Sequence, residues 1–276
     1  MLDRITPVIL TYNEEANIGR CLAALSWARE VVVVDSHSDD GTEAIVRGFA
    51  NTRFIQRRFD DHPSQWRFAL EETGIESDWL LRLDADYLVP AALRQELAGL
   101  APADGVSGYR AGFDYCVHGR KLRASLYPPN MVLVRRGAVS VVQDGHTERV
   151  GINQGAAAML KNRLRHDDRK PMARFVWSQV RYQARERDKL LQAPRGTLGP
   201  VDRLRRWIVV TPWLVLLYCL FFRGLVLDGR AGLAYSLQRM LAETILSLYL
   251  VESALQAADR PPAGRDHGEN SSEGKI

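Results

Sequence analysis

The stretch Leu80–Pro90, LLRLDADYLVP, decides how the rest of the chain is read. An apolar run ends at two carboxylates one residue apart, Asp84 and Asp86, and a proline follows. Trp79–Leu83 has the length and composition of a buried strand. A strand end has no structural need of two acids, so they either cap a turn before Pro90 or hold something. Hard oxygen ligands of this kind suit Mg²⁺ or Mn²⁺, ions usually bound by one or two carboxylates together with substrate phosphates.

Upstream of this stretch, strand and helix patterns alternate. Thr6–Leu10 reads as a buried strand, followed by the polar turn Thr11-Tyr12-Asn13-Glu14-Glu15 and a helix carrying Ile18, Leu22 and Leu25 on one face with Asn17 as its cap. Val31–Val34 is β-branched throughout and reads as a strand buried on both faces. The loop Asp35–Thr42, a helix over Glu43–Phe49, a strand at Arg53–Gln56 and a helix over Gln65–Thr73 come next, and Pro90 opens a further helix. This alternation predicts a mostly parallel sheet covered on both faces, whose ligands bind beyond the carboxyl ends of the strands. Thr11–Glu15, Asp35–Asp40 and Asp84–Asp86 all follow strands directly and therefore share one rim. Each alone is a fair turn or cap. Three of them on one rim argue for a site. Neither G-x-G-x-x-G nor G-x-x-x-x-G-K-[ST] follows the first strand, which disfavours a dinucleotide-binding enzyme or a P-loop nucleotidase.

The 276 residues suffice for one α/β domain with an attachment, and the formal charge is only +4. The three cysteines are odd in number and lack metal-type spacing, which fits a reducing compartment. The N-terminus runs straight into a strand pattern, so no secretory signal is expected. From Gly108 to Val150 short β-like runs take over. Lys161–Arg206 is rich in basic residues, and Arg174, Ser178, Arg181, Arg185 and Lys189 fall on one helix face. A solvated surface is the ordinary reading of such a stripe; a surface for anionic lipid or a phosphorylated acceptor is the sharper one. No stacking aromatics interleave these cations in a known module, so no nucleic-acid partner is expected.

Trp207–Phe222 is almost wholly apolar but reaches only about 24 Å as a helix, short of a ~30 Å hydrocarbon core, and Pro212 interrupts it. Ala231–Val251 carries Arg239 and Glu243 near its middle, which speaks against a clean span. Ser236, Arg239, Glu243 and Ser247 form a polar stripe opposite Leu237, Leu241, Ile245 and Leu248, as in an interfacial helix or one packed on the domain. Arg203, Arg205 and Arg206 precede the apolar run where anionic headgroups would be met. The expectation is a monotopic or re-entrant hairpin on the cytoplasmic face of the inner (cell) membrane.

Pro7–Glu15, Val31–Thr42 and Leu83-Asp84-Ala85-Asp86 together resemble family 2 glycosyltransferases of the GT-A fold, close to the bacterial branch that includes lipopolysaccharide-core β-glucosyltransferases. The resemblance covers roughly residues 4–190. It implies an α/β GT-A fold, Rossmann-like with a mostly parallel sheet and helices on both faces, plus C-terminal hydrophobic or amphipathic helices. The division expected is a nucleotide-sugar-binding and catalytic domain over 1–160, a basic helical segment over 161–206, a membrane-associated hairpin over 207–256 and a disordered tail over 257–276. By the resemblance Thr11, Asn13 and Glu14 line the nucleotide pocket, Asp35 reads the base, typically uracil, Asp84 lies near the ribose and Asp86 ligates Mn²⁺ or Mg²⁺. His166 matches a histidine that approaches the diphosphate or the metal.

The segment Asp144–Arg149 resembles the family's late motif only in part, with Thr147 where a histidine is usual; Glu148 is the candidate base and Asp144 the second choice. Arg67 stands where the family usually has asparagine. The function implied is inverting, metal-dependent transfer of a sugar from a nucleotide-sugar donor, a UDP-sugar first, to a lipid-linked glycan acceptor in cell-envelope or lipopolysaccharide synthesis. Three alternatives stay open: transfer to polyprenyl phosphate itself, a nucleotidyltransferase, and an inactive membrane scaffold of a glycan-assembly complex.

Overall fold

The structure, a computed structural model, describes residues 1–144 and 147–259, without the side chains of 142–149 and of residue 195. Strands β1 (Ile5–Thr11), β2 (Val31–Asp35) and β3 (Thr52–Gln56) are joined by helices α1 (Ile18–Ala23) and α2 (Thr42–Arg47). Helix α3 (His62–Arg67) continues as one π-helical turn to Glu72 and leads to β4 (Trp79–Asp84). It begins three residues before the sequence expectation because Asp61 caps it, accepting from Ser64 N at 2.7 Å, and Pro63 fits the first turn.

A short strand β5 (Tyr87–Leu88), helix α4 (Ala91–Gly99) and strands β6 (Val106–Ala111), β7 (Phe113–Val117), β8 (Arg120–Lys121) and β9 (Asn130–Arg135) follow. Then come β10 (Val139–Asp144), β11 (Thr147–Ile152), β12 (Ala156–Met159) and β13 (Leu164–His166). The central sheet has the order β12-β6-β9-β4-β1-β2-β3. β4, β1, β2 and β3 run parallel, β9 is antiparallel to both β4 and β6, and β12 is parallel to β6.

Strand alternation sorts the core into two layers. Ile5, Ile9, Val31, Val33, Leu81 and Leu83 pack with α1, α2 and α4 on one face, whereas Val8, Val32, Val34 and Leu80 pack with Trp66, Leu70 and the β10–β11 ribbon on the other. Arg82 is buried in β4, its guanidinium 4.1 Å from the Trp66 ring centroid and donating to Met131 O at 3.0 Å. The cation in the opening stretch is therefore part of the core.

The chain then forms helices α5 (Met172–Gln192), α6 (Pro200–Arg205), α7 (Val210–Leu217) and α8 (Gly229–Ala258). Pro212 does not interrupt the apolar run as the sequence reading had it. It sits in the first turn of α7, where its missing N–H has no helical partner to lose. A π-helical turn extends α7 to Phe222. No single helix among the described residues is long and apolar enough to cross a membrane; Val210–Phe222 and Leu225–Ala258 pass only as a pair bent by 72°.

Helix α8 turns its polar stripe inward. Ser236 and Glu243 are buried, while Leu237 and Leu248 are 48% and 65% exposed. Arg205 explains the orientation: it meets Glu243 at 3.0 Å, Glu186 of α5 at 3.4 Å and Asp202 at 3.6 Å, tying α5, α6 and α8 together. Ser247 Oγ donates to Ile208 O. A buried Glu243 needs its cation more than Leu248 needs shelter from water.

Candidate functional site

The loops after β1 and β2 are stitched to each other. Asn13 takes a left-handed backbone (φ 56°), tolerable for asparagine, and its side chain both accepts from Asp39 N at 3.0 Å and donates to Asp39 Oδ1 at 2.6 Å. Its own N–H donates to Ser38 Oγ, Glu14 N donates to Thr42 Oγ1, and Gly41 N donates to Glu15 Oε2. Asp35 is fully buried, accepting from Thr11 Oγ1 at 2.8 Å, Ser38 N at 2.8 Å and Ser38 Oγ at 2.5 Å. Asn13 and Asp35 thus shape the rim from behind, whereas Thr11 and Glu14 line the cavity itself.

That cavity, of 560 Å³, opens at the carboxyl ends of β1, β2 and β4. Asp84, the last residue of β4, and Asp86, in the turn that follows, both line it. Backbone pairing brings a distant segment beside them. Tyr87 of β5 is in register with His166 of β13, and Asp167 N donates to Asp86 O at 3.0 Å. His166 Nε2 consequently lies 3.6 Å from Asp86 Oδ2. Tyr115 stacks on the imidazole at 4.5 Å, and Tyr127 and Tyr87 stand at 4.8 and 5.4 Å.

Burial governs the charges here. It raises the Asp86 carboxyl, with Lys170 opposing and Asp168 reinforcing the rise, and it lowers the His166 imidazole towards the neutral form. Glu14 is likewise raised by burial, against the pull of Lys170. Asp86 Oδ1 and His166 Nδ1 are buried without a hydrogen-bond partner. A carboxylate and a neutral imidazole are suitable donor types for a divalent cation, and here they approach each other through Oδ2 and Nε2 while Oδ1 stays without a partner. No group of three or more His, Cys, Asp or Glu side chains is poised round one ion position among the described residues. Asp84, Asp86 and His166 therefore fit such an ion only if substrate oxygens complete its shell, the usual arrangement for Mg²⁺.

The opposite wall was not legible as such. Arg174, Ser178, Arg181 and Arg185 of α5 line the cavity, so this stripe faces the site even where, as at Arg181, it stays exposed; Lys189, at its end, pairs with Asp202 at 3.6 Å. Trp177 is held between Arg174 and Arg181, whose guanidinium carbons lie 4.2 and 4.6 Å from its ring. Lys170, absent from the sequence reading, lies 2.6 Å from Glu14 and 3.9 Å from Asp168. Asp168 accepts from Asn17, and Asp167 binds Arg20 and Arg169. The only signal for these residues was the charged run Arg165–Lys170. Glu148 and Asp144, the candidate bases, lie in the β11 and β10 strands, and their side chains fall outside the described residues.

Comparison with known proteins bears on this site. The model of the family described as glycosyl transferase family 2 matches residues 6–157. The lipopolysaccharide core biosynthesis glycosyltransferase LpsC of Rhizobium meliloti (strain 1021) is 32% identical over 145 residues, which are 48% of this chain and 51% of LpsC. An uncharacterized glycosyltransferase of Rickettsia bellii (strain RML369-C) is 31% identical over 109 residues, 39% of this chain and 36% of its own length. The chain therefore spans about half the length of LpsC and less of the second relative. Among solved structures, S. aureus TarS 1-349 in complex with UDP-GlcNAc is similar at 15% identity and TM-score 0.47, over 92% of each chain. The Mycobacterium tuberculosis glucosyl-3-phosphoglycerate synthase, solved with Mn²⁺, UDP and glucosyl-3-phosphoglycerate, is similar at 16% identity and TM-score 0.42, over 66% of this chain and 79% of that one.

Proposed function

The chain belongs to glycosyl transferase family 2, with the mostly parallel sheet of the GT-A fold, and on that premise we propose that its cavity binds a nucleotide-sugar, a UDP-sugar first, and transfers the sugar with inversion to a lipid-linked glycan. The observation that carries this reading is the pairing of opposite walls in one cavity. Asp84 and Asp86 face it from the sheet, and Lys170, Arg174, Arg181 and Arg185 face it from α5 and the segment before it. A sugar diphosphate presents several anionic oxygens, which such a basic wall receives.

Asp86, with Asp84 and His166, would hold a divalent ion, which when bound supplies Lewis-acid stabilisation of the charge that develops on the diphosphate. The basic residues of α5 orient the diphosphate and stabilise the same charge from the other side. The acceptor oxygen attacks the anomeric carbon, the carbon–oxygen bond to the diphosphate breaks, and its electron pair leaves with the nucleotide. The acceptor's hydroxyl proton passes to a base, for which Glu148 is the candidate. One displacement of this kind inverts the anomeric centre.

Two features favour an acceptor held at the cytoplasmic face of the cell membrane. LpsC is named for lipopolysaccharide core biosynthesis. Trp213, Phe221, Phe222 and Leu227 are large apolar side chains at 58–78% exposure, all within Val210–Asp228 of the C-terminal segment. The test is thermal stability with UDP, GDP and CDP, each with and without Mn²⁺. Stabilisation by UDP that needs the metal and disappears in Asp86→Ala is expected; no response to any nucleotide would overturn the reading.

A further inference from the structure

Beyond the tyrosines that enclose His166 lies a second cavity, of 620 Å³, to which Phe113, Tyr115 and Tyr127 give an aromatic side. Five cations from three separated stretches converge on it: Lys121 and Arg123, Lys161 and Arg163, and Arg223. Lys121 is paired with Asp114 at 2.6 Å and Arg123 with Asp228 at 2.9 Å. Lys161, Arg163 and Arg223 form no ion pair among the described residues. Arg163 and Arg223 donate only to backbone carbonyls, Phe113 O at 3.2 Å and Ser125 O at 3.0 Å, and Arg223 Nε is buried with no hydrogen-bond partner.

Cations gathered round one concavity repel one another, and a buried guanidinium donor left unpaired costs free energy. An anion with several oxygens relieves both costs, and arginine's fork matches phosphate and carboxylate geometry. Arg223 directly follows Phe221 and Phe222, which are 66% and 78% exposed, so one of the cavity's cations adjoins exposed apolar side chains in the chain. Tyr115 links the two spaces: it lines this one and stacks on His166, which lies 3.6 Å from Asp86 in the wall of the first.

We propose that this cavity is a second substrate site, which recognises a phosphate or carboxylate group carried by the acceptor glycan. The tyrosines offer faces for its sugar rings, and the group's charge sets the acceptor's register relative to Asp86. The inference rests on the sugar-transfer reading for the word acceptor, but its anion site is tested without turnover or nucleotide.

Inorganic phosphate is titrated by calorimetry into the whole chain, its first cavity made less basic by Arg181→Ala/Arg185→Ala. Adding Lys161→Ala/Arg163→Ala, both exposed positions, is expected to weaken phosphate binding at least fivefold. Arg223→Gln, which keeps a donor for Ser125 O, is expected to do the same and serves as the second, independent variant. Unchanged phosphate affinity in the Lys161/Arg163 variant would overturn the proposal. Glucose 6-phosphate and phosphatidylglycerol vesicles then compete for the phosphate site, with phosphatidylcholine vesicles as control. Displacement by the sugar phosphate supports an acceptor-borne anion; displacement by phosphatidylglycerol alone makes the ligand a lipid headgroup and overturns the acceptor assignment. Failure of the sugar-transfer reading would appear separately, as loss of the UDP response.

Discussion

Lys170 places its ammonium 2.6 Å from Glu14 Oε1 across 156 residues of chain. The bond joins the first polar loop to the segment that enters α5, so one cation both closes the fold and faces the cavity. Lys170→Met is expected to weaken UDP binding tenfold or more, about 1.4 kcal/mol. Glu14 can escape part of the loss by taking up a proton, so the fall in stability should be less than the roughly 3–5 kcal/mol of a broken buried pair. Nucleotide titration and urea unfolding measure the two effects.

Asp86 and Glu14 make stability depend on pH. Both are raised by burial, Asp86 to about 6 and Glu14 to about 7, so the folded state holds their protons at pH values where the unfolded chain has released them. Stability from these groups is therefore fully present below pH ~4 and is lost as pH rises through the folded values. Asp86→Asn removes one such charge. It is expected to raise the melting temperature of the metal-free protein by a few degrees at pH 8, with the gain shrinking towards pH 4, while abolishing metal-dependent transfer. A gain that persists unchanged at pH 4 would contradict the assignment.

Arg205 holds three acids from three helices, and its removal takes the guanidinium away from Glu243 and Glu186, both buried. Arg205→Met should cost roughly 3–5 kcal/mol, and Glu243→Gln distinctly less, because a neutral amide can still accept from the guanidinium. In a double-mutant cycle by chemical denaturation, the two changes are expected to be non-additive.

Glu148→Gln separates proton transfer from binding. If Glu148 takes the acceptor proton, the variant should bind the donor as before and transfer about 10²–10⁴-fold more slowly. Single-turnover rates beside donor affinity decide this; an unchanged rate removes Glu148 from the mechanism.

Local sequence carried the sheet well because β1, β2 and β4 are each bounded by their own turn residues and buried on both faces, with the half-buried β3 at the edge. The acid pair was legible for the same reason, standing at the end of an unambiguous strand. The basic wall was visible as periodicity, since Arg174, Ser178, Arg181 and Arg185 share a helix face, but the direction of that face depends on where α5 docks. Docking is fixed by contacts far apart in sequence, such as Glu186 with Arg205 and Lys170 with Glu14. His166 beside Asp86 is likewise a product of the β5–β13 register, which no local pattern encodes. The orientation of α8 was lost because its two stripes are equally periodic, and only the buried partners of Glu243 and Ser247 say which one faces in.

That orientation turns over the usual map of mutational tolerance along Gly229–Ala258. In most helices of this length leucines are the fragile positions and serines the replaceable ones. Here Leu246 and Leu250 are buried, but Leu237 and Leu248 stand outward, whereas Glu243 and Ser247 hold the helix in place through Arg205 and Ile208. Polar substitutions at Leu237 and Leu248 should therefore leave the fold untouched and yield a better-behaved protein for study in water. Swapping Ser247 for alanine, ordinarily a harmless change, would be the one that loosens the helix, because it removes the bond to Ile208 O.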